Sequence, residues 1–414
     1  MTRKGTFVSK QKFFFGLDER KRPVYLDAQH ARLNKVIPAA TRAGKGVSVQ
    51  MLAPQFASAG DGVFIFDPKR DSKMSRALAS YCERHSLPFQ LIDLRYDAPP
   101  QISLFDGLDA RQIAMMFTAG FDLADTGEMD RVYRLDDRNA AARTAELAEA
   151  NNARALPDMI RAALADESIG QTKVFWGFLS ELGALPSISA VNGFDLVSPF
   201  ANGGMVYVMG DPLDPAVKMA QRMLLVRVLM QIYQRPRFEK DLRHICVVLD
   251  EFKHLLSVPA ADALGMIQDF GGHAMLLFQS MGDLSACRGM DEKMVRGAIL
   301  DNCKLKLIFQ SQNDETAQWA ALETCTKSVF IGSTDKEYDG DRSPGQWRGA
   351  EAPTIHPNTF KKMPPLTAAL IVGGESKIVR VNPLKHLTDG FPPVYADAES
   401  GIPLTAGPVE ASLI

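Results

Sequence analysis

Residues 36–50, running Val36-Ile37-Pro38-Ala39-Ala40-Thr41-Arg42-Ala43-Gly44-Lys45-Gly46-Val47-Ser48-Val49-Gln50, constrain the fold more than any other stretch. An apolar start leads into small residues, then a lysine between two glycines, then a run compatible with a helix. That order predicts a buried strand, a loop wrapping phosphate oxygens with backbone N–H groups, and a helix aiming its positive dipole end at the anion. Lys45 then supplies a mobile charge for the outer phosphates, and Thr41, Arg42, Ala43, Gly44, Lys45, Gly46 and Val47 form the cradle. The match to G-x-x-x-x-G-K-[ST] departs at both ends. Ala39 stands at the first glycine, and Gly46 where a magnesium-binding hydroxyl belongs. Alone, the loop reads more simply as a glycine turn between strand and helix; a second motif far downstream changes that balance.

The second motif is an apolar strand, Ile245-Cys246-Val247-Val248-Leu249, ending in Asp250-Glu251. Buried parallel strands present their terminal side chains at one edge of a doubly wound sheet, beside the phosphate loop. There Asp250 can hold a magnesium-bound water, and Glu251 can orient and activate the water attacking the terminal phosphate. Gln279 ends the next apolar strand and suits sensing of that phosphate or water. Asp67 and Lys69 end a neighbouring strand, where they can sit near the nucleotide or a subunit interface, a local ion pair being the simpler reading. The expected catalytic set is therefore Glu251, Lys45 and Gln279, with Asp250 at the metal.

Composition sets the outer bounds. The chain has 414 residues, 46% hydrophobic and 23% charged, enough for a large core in two or more units. A net charge of -2 excludes a global basic field, so any nucleic-acid contact must be local. Five cysteines without paired or metal-like spacing read as buried free thiols of a reducing compartment. No uncharged apolar run reaches 18 residues, and 217–233 is broken by Lys218, Arg222 and Arg227, which predicts a buried amphipathic helix. We expect a soluble, cytoplasmic chain.

Along the chain, strands and helices alternate to about residue 106, as in a parallel α/β sheet: a helix over Val47–Phe56 ending near Pro54, a strand at Val63–Phe66, a helix over Ser72–His85 and a strand at Phe89–Asp93. From 107 to 185 the composition turns to Ala, Leu, Met and charge, and Asn139–Ala155 is a strong helix former, so an inserted all-α domain is expected. The α/β pattern resumes over 186–388, with strands at Met205–Met209, Ala274–Phe278 and Leu305–Phe309 and a late hairpin near 368–381. Residues 335–352 read as a polar surface loop, and 389–414 as an extended tail.

Taken in order, these motifs resemble the type IV secretion coupling proteins, the TraG/TraD-like DNA-transfer ATPases. Their loop APTRSGKG, followed by a strand ending in D-x-K, is similar to Ala39–Gly46 and Asp67-Pro68-Lys69, and the family often carries Gly after the lysine, as at Gly46. Val247–Leu255 resembles the family's LLDEF strand, Gly271–Ser280 its glutamine-bearing motif, and Asp301–Ala317 the strand and helix start that follow. The resemblance spans about 25–385. It implies a RecA-like P-loop NTPase with an all-α domain, using ATP and Mg2+ and assembling as a homo-hexamer. It further implies movement of single-stranded DNA and delivery of a relaxase or accessory protein to secretion channel components at the inner membrane, with this chain peripheral to it. A trans-acting Arg eleven residues before the glutamine, present in some members, is Gln268 here; Arg288 and Arg296 are the alternatives. Two other functions fit the same residues: a motor for secretion or pilus assembly that moves no DNA, and a weakly hydrolysing adaptor that docks secretion substrates.

Overall fold

The apolar runs pair into an eleven-stranded sheet, in a computed structural model that describes residues 12–69, 71–124, 131–191, 193–239, 241–286, 292–333 and 346–382. The strands are β1 (Lys12–Leu17), β2 (Pro23–Asp27), β3 (Lys35–Pro38), β4 (Gly62–Asp67), β5 (Phe89–Asp93) and β6 (Gly204–Met209). Then follow β7 (Ile245–Leu249), β8 (Gly272–Phe278), β9 (Leu305–Ile308), and, after a separate hairpin of β10 (Thr326–Ser333) and β11 (Gln346–Pro353), β12 (Thr367–Val372) and β13 (Glu375–Arg380). Their order is β2-β1-β13-β12-β9-β3-β8-β7-β4-β6-β5. From β9 to β5 the neighbours run parallel, and β12, β13, β1 and β2 extend one side antiparallel. The α/β, RecA-like expectation with a mainly parallel sheet is thus met.

Central strands β3, β4, β6, β7 and β8 are buried along their whole length, as continuous apolar runs in a sheet covered on both faces must be. Register then decides what meets at the edge. Pro38 lies opposite Phe278, and Phe66 opposite Leu249. The chain therefore leaves β3, β8, β7 and β4 on the same side of the sheet, which brings together motifs far apart in sequence.

Three local expectations change. The helix after β3 runs from Lys45 to Ser58 and carries Pro54 inside it, rather than ending there. Its buried face, including Leu52, Ala53, Phe56 and Ala57, contributes enough packing to outweigh the lost proline N–H. The helix Pro215–Tyr233 is buried nearly all round instead of amphipathic, because it lies between the sheet and a layer of further helices. Its Arg227 is 7% exposed and donates to the carbonyl oxygens of Ser103, Leu104 and Asp106 at 2.6, 2.6 and 2.8 Å. Residues 346–352, expected in a loop, form most of β11, paired antiparallel with β10 from Thr326↔Pro353 to Ser333↔Gln346. Cross-strand pairing sets that conformation, and local composition does not report it. The expected tail 389–414, and residues 335–345, lie outside the described residues.

Helices fill the interval after β5, at Ala110–Gly120, Arg131–Ala150, Leu156–Leu164, Glu167–Gln171 and Lys173–Gly183. The segments leading in and out lie side by side: the Gln101 and Ile102 N–H groups donate to Ser187 O, and Ala190 N–H to Ile102 O. Gly120 packs so closely on Pro215–Tyr233 that a Cβ there would meet Met223 Cε at 2.4 Å. Cys82, Cys246 and Cys303 are buried free thiols, but Cys325 is exposed.

Candidate active site

The loop between β3 and its helix is built from backbone constraints. Ala39 N–H donates to Phe278 O, Ala40 N–H to Gln310 O, and Leu366 N–H to Ala43 O, so three flanking segments hold its shape. Gly44 caps the helix at φ 136° and lies against Phe309, where a Cβ would sit 2.6 Å from Cε1. Only glycine satisfies both demands. Arg42 also has a positive φ, 65°. The first-turn N–H groups of Lys45, Gly46 and Val47 have no intrahelical acceptor and point out of the helix start. Thr41 and Arg42 are exposed, and Ala43 and Lys45 are buried. At Gly46 an added Cβ would meet nothing within 4 Å. The nearby hydroxyl of Ser48 turns back to donate to Lys45 O at 2.6 Å, which leaves it fully buried in the helix.

Across the sheet edge, Asp250 and Glu251 follow β7 directly. Asp250 N–H donates to Phe66 O, tying it to the neighbouring strand, and Asp250 Oδ1 accepts from the Glu251 N–H at 3.0 Å. Glu251 adopts a left-handed backbone, φ 44° and ψ 55°, unusual for a residue with a Cβ. Such strain is characteristic of side chains that the fold must aim.

The carboxylate of Glu251 is the hub. Lys45 Nζ donates to its Oε1 at 2.5 Å and lies 3.7 Å from Asp250 Oδ1. Lys69 Nζ donates to the same Oε1 at 2.5 Å and lies 3.5 Å from Asp250 Oδ2. Gln279 Nε2 approaches both carboxylate oxygens, at 3.2 and 3.3 Å. Gln279 is itself held through its N–H, which donates to Asp283 Oδ2 at 2.8 Å. Burial works against the Glu251 charge, but the two lysines outweigh it and hold its pKa down to about 2. For Lys69 burial also opposes the charge, and Asp250 and Glu251 overcome it and raise the pKa.

Lys45, Asp250, Glu251 and Gln279, singled out from the sequence, thus meet in one place. For Lys69 the structure takes the reading that the sequence favoured less, a place at the nucleotide edge. It does not close a local pair with Asp67 but reaches Glu251, and only the parallel pairing of β4 with β7 makes that reach short. The available signal was the D-x-K ending of a strand next to the acidic one. Asp67 is wholly buried, accepting from Tyr207 Oη at 2.5 Å and from the Lys69 N–H at 2.8 Å. Burial and the neighbouring Asp250 push its pKa up to about 7. Gln268 lies at the opposite end of β8, its Nε2 3.5 Å from Arg32 O, and Arg296 pairs with Glu315. Arg288 lies outside the described residues. Among the described residues no group of three or more His, Cys, Asp or Glu is placed to hold a metal ion, and no helix is long and apolar enough to cross a membrane.

Comparison with known proteins supplies independent findings. Residues 244–365 match the family model described as the TraM recognition site of TraD and TraG. The chain is 26% identical over 311 residues to Mobilization protein A of Escherichia coli, covering 74% of this chain and 57% of that protein's length. Among solved structures, the unbound conjugative coupling protein TrwBdeltaN70 shares the fold with TM-score 0.66 and 15% identity, over 90% of this chain and 94% of its own. TrwB in complex with an ATP analogue gives TM-score 0.64 and 16% identity, over 85% and 86%. VirB4 of Thermoanaerobacter pseudethanolicus gives 0.55 and 14%, over 90% and 96%.

Proposed function

We propose that the chain is an ATP-driven coupling protein of the type IV secretion kind that moves DNA toward a secretion channel, a reading supported by its match over 244–365 and its similarity to Mobilization protein A. The observation supporting the chemistry is the meeting of Lys45, Asp250, Glu251 and Gln279 in front of a glycine-shaped helix start. Phosphates fit that start because its N–H groups are unsatisfied and Lys45 is within reach. ATP and Mg2+ are the cofactors proposed, as TrwB is described in complex with ADP and Mg2+. When bound, the ion neutralises charge between the outer phosphates; Asp250 would hold one of its waters, with no side-chain hydroxyl at Gly46 to add a ligand. Glu251 accepts a proton from the attacking water, and Gln279 orients that water through its amide.

The partners proposed are single-stranded DNA, a relaxase or accessory protein of the kind TraM represents, channel components at the inner membrane, and further copies of this chain in a hexamer. The all-α unit at 107–185 is proposed to receive the protein cargo. ATP turnover measured with and without single-stranded DNA tests the reading. Turnover stimulated by DNA supports it. Turnover indifferent to DNA favours a secretion motor that moves none, and nucleotide binding without turnover favours a docking adaptor.

A further inference from the structure

Two lysines on one carboxylate oxygen is more cation than Glu251 needs for solubility or packing. Lys45 must turn toward phosphate for the loop to work, so its bond to Glu251 is one that nucleotide breaks. Lys69 stands outside the loop Ala39–Gly46, beyond the end of β4. It arrives from a different strand, its side chain is 44% exposed while Glu251's is 3% exposed, and its Nζ spans Glu251 Oε1 and Asp250 Oδ2. We propose that Lys69 is the positioning residue of Glu251, holding its carboxylate in place while Lys45 exchanges from Glu251 to a bound phosphate. The inference rests on the reading of this site as a nucleotide hydrolase.

Charge shows why a second lysine matters there. Asp250 and Glu251 carry two negative charges against Lys45 and Lys69. Once Lys45 engages phosphate, Glu251 faces Asp250 and the anionic nucleotide with Lys69 as its remaining lysine partner. The other groups around it are the neutral amide of Gln279, Asp67 on β4, and Lys253, paired with Asp283 at 3.2 Å, and His254 on the turn behind it. Without Lys69 the Glu251 carboxylate loses the contact that fixes its Oε1, and a carboxylate free to turn is out of line with the water it must accept from. The Gln279 amide would remain in contact but carries no charge to hold the carboxylate against its neighbours.

Lys69→Met and Lys69→Arg in the full chain test this. The measurements are ATP-analogue affinity by calorimetry and kcat in a steady-state phosphate assay. For Lys69→Met the expected result is an affinity within about threefold of wild type and kcat lowered about 10²-fold or more. Lys69→Arg should restore most of kcat. A Met variant with wild-type kcat overturns the inference. So does one whose affinity falls in proportion while kcat holds, since Lys69 would then be a phosphate ligand. If Lys69→Met does not fold, Lys69→Gln carries the same test. A wild-type chain that binds the analogue but turns over no ATP overturns the hydrolase reading itself, and is told apart because it fails before any variant is compared.

Discussion

At the scale of single residues, Lys45, Glu251 and Asp67 make separable predictions. Lys45→Ala removes a charge from a loop and opens no large cavity, so it should fold and lose tight ATP binding, as a fluorescent analogue would report. Glu251→Gln keeps the shape of the side chain but loses the charge proposed to take a proton from water. It should bind ATP and hydrolyse it about 10²–10⁴-fold more slowly in a steady-state phosphate assay. Asp67 tests the electrostatics without touching nucleotide. Its pKa is raised from 3.8 to about 7 in the fold, so its contribution to stability is fully present below 3.8 and is lost as pH rises through about 7. Asp67→Asn cannot ionise, and its amide can accept from the Lys69 N–H through Oδ1 while donating from Nδ2 to Tyr207 Oη. The variant should lose less stability than wild type between pH 4 and 7, read as the melting temperature against pH.

At the scale of elements, the phosphate loop shows that two glycines flanking one lysine have different jobs. Gly44 holds φ 136° with Phe309 against it, so Gly44→Ala should cost about 1–3 kcal/mol and weaken nucleotide binding. Gly46 is in the first helical turn with open space at its Cβ, so Gly46→Ala should be neutral or stabilise by up to about 1 kcal/mol. Urea unfolding of the two variants separates them, and equal costs would refute this account of the loop. The helix that follows teaches the same lesson from packing. Pro54 marks a helix end by local rules, yet Gln55 next to it donates from Nε2 to Met51 O and Phe14 O and accepts the Phe14 N–H, fastening the helix to β1.

At the scale of the whole molecule, the open issue is whether residues 107–185 are a unit the rest can lose. The connections at 101–104 and 187–190 are hydrogen-bonded neighbours, so a short linker can close the gap at little entropic cost. Against this, Ile113, Met116, Phe117, Leu179 and Leu182 belong to the same apolar cluster as Met223, Leu224, Val206 and Leu249. Excision would bare the face of Pro215–Tyr233 that these helices cover, and exposed apolar surface of that extent aggregates. Replacing 107–185 with a Gly/Ser linker should therefore give an insoluble product, and polar replacements at Met219 and Met223 should recover soluble material that binds ATP. A deletion that is soluble unaided would show that the bundle contributes little to the core.

Sequence alone carried the periodic and local features: fully apolar strands, a glycine-shaped loop before a helix, acids and an amide ending strands, a helix-rich interval after residue 106. These are short-range patterns, and each residue type there has a physical reason visible from its neighbours. Lys45, Asp250, Glu251 and Gln279 were legible because strands of a parallel sheet present their ends at a common edge. Tertiary structure decided the rest. Strand order placed β4 beside β7 and so turned Lys69 from a local partner of Asp67 into a ligand of Glu251. Burial from both sides made Pro215–Tyr233 a core helix and kept Pro54 inside another. Pairing with Thr326–Ser333 drew Gln346–Pro353 into a strand. In each case the deciding contact joins residues distant in the chain, and no local window contains that energy.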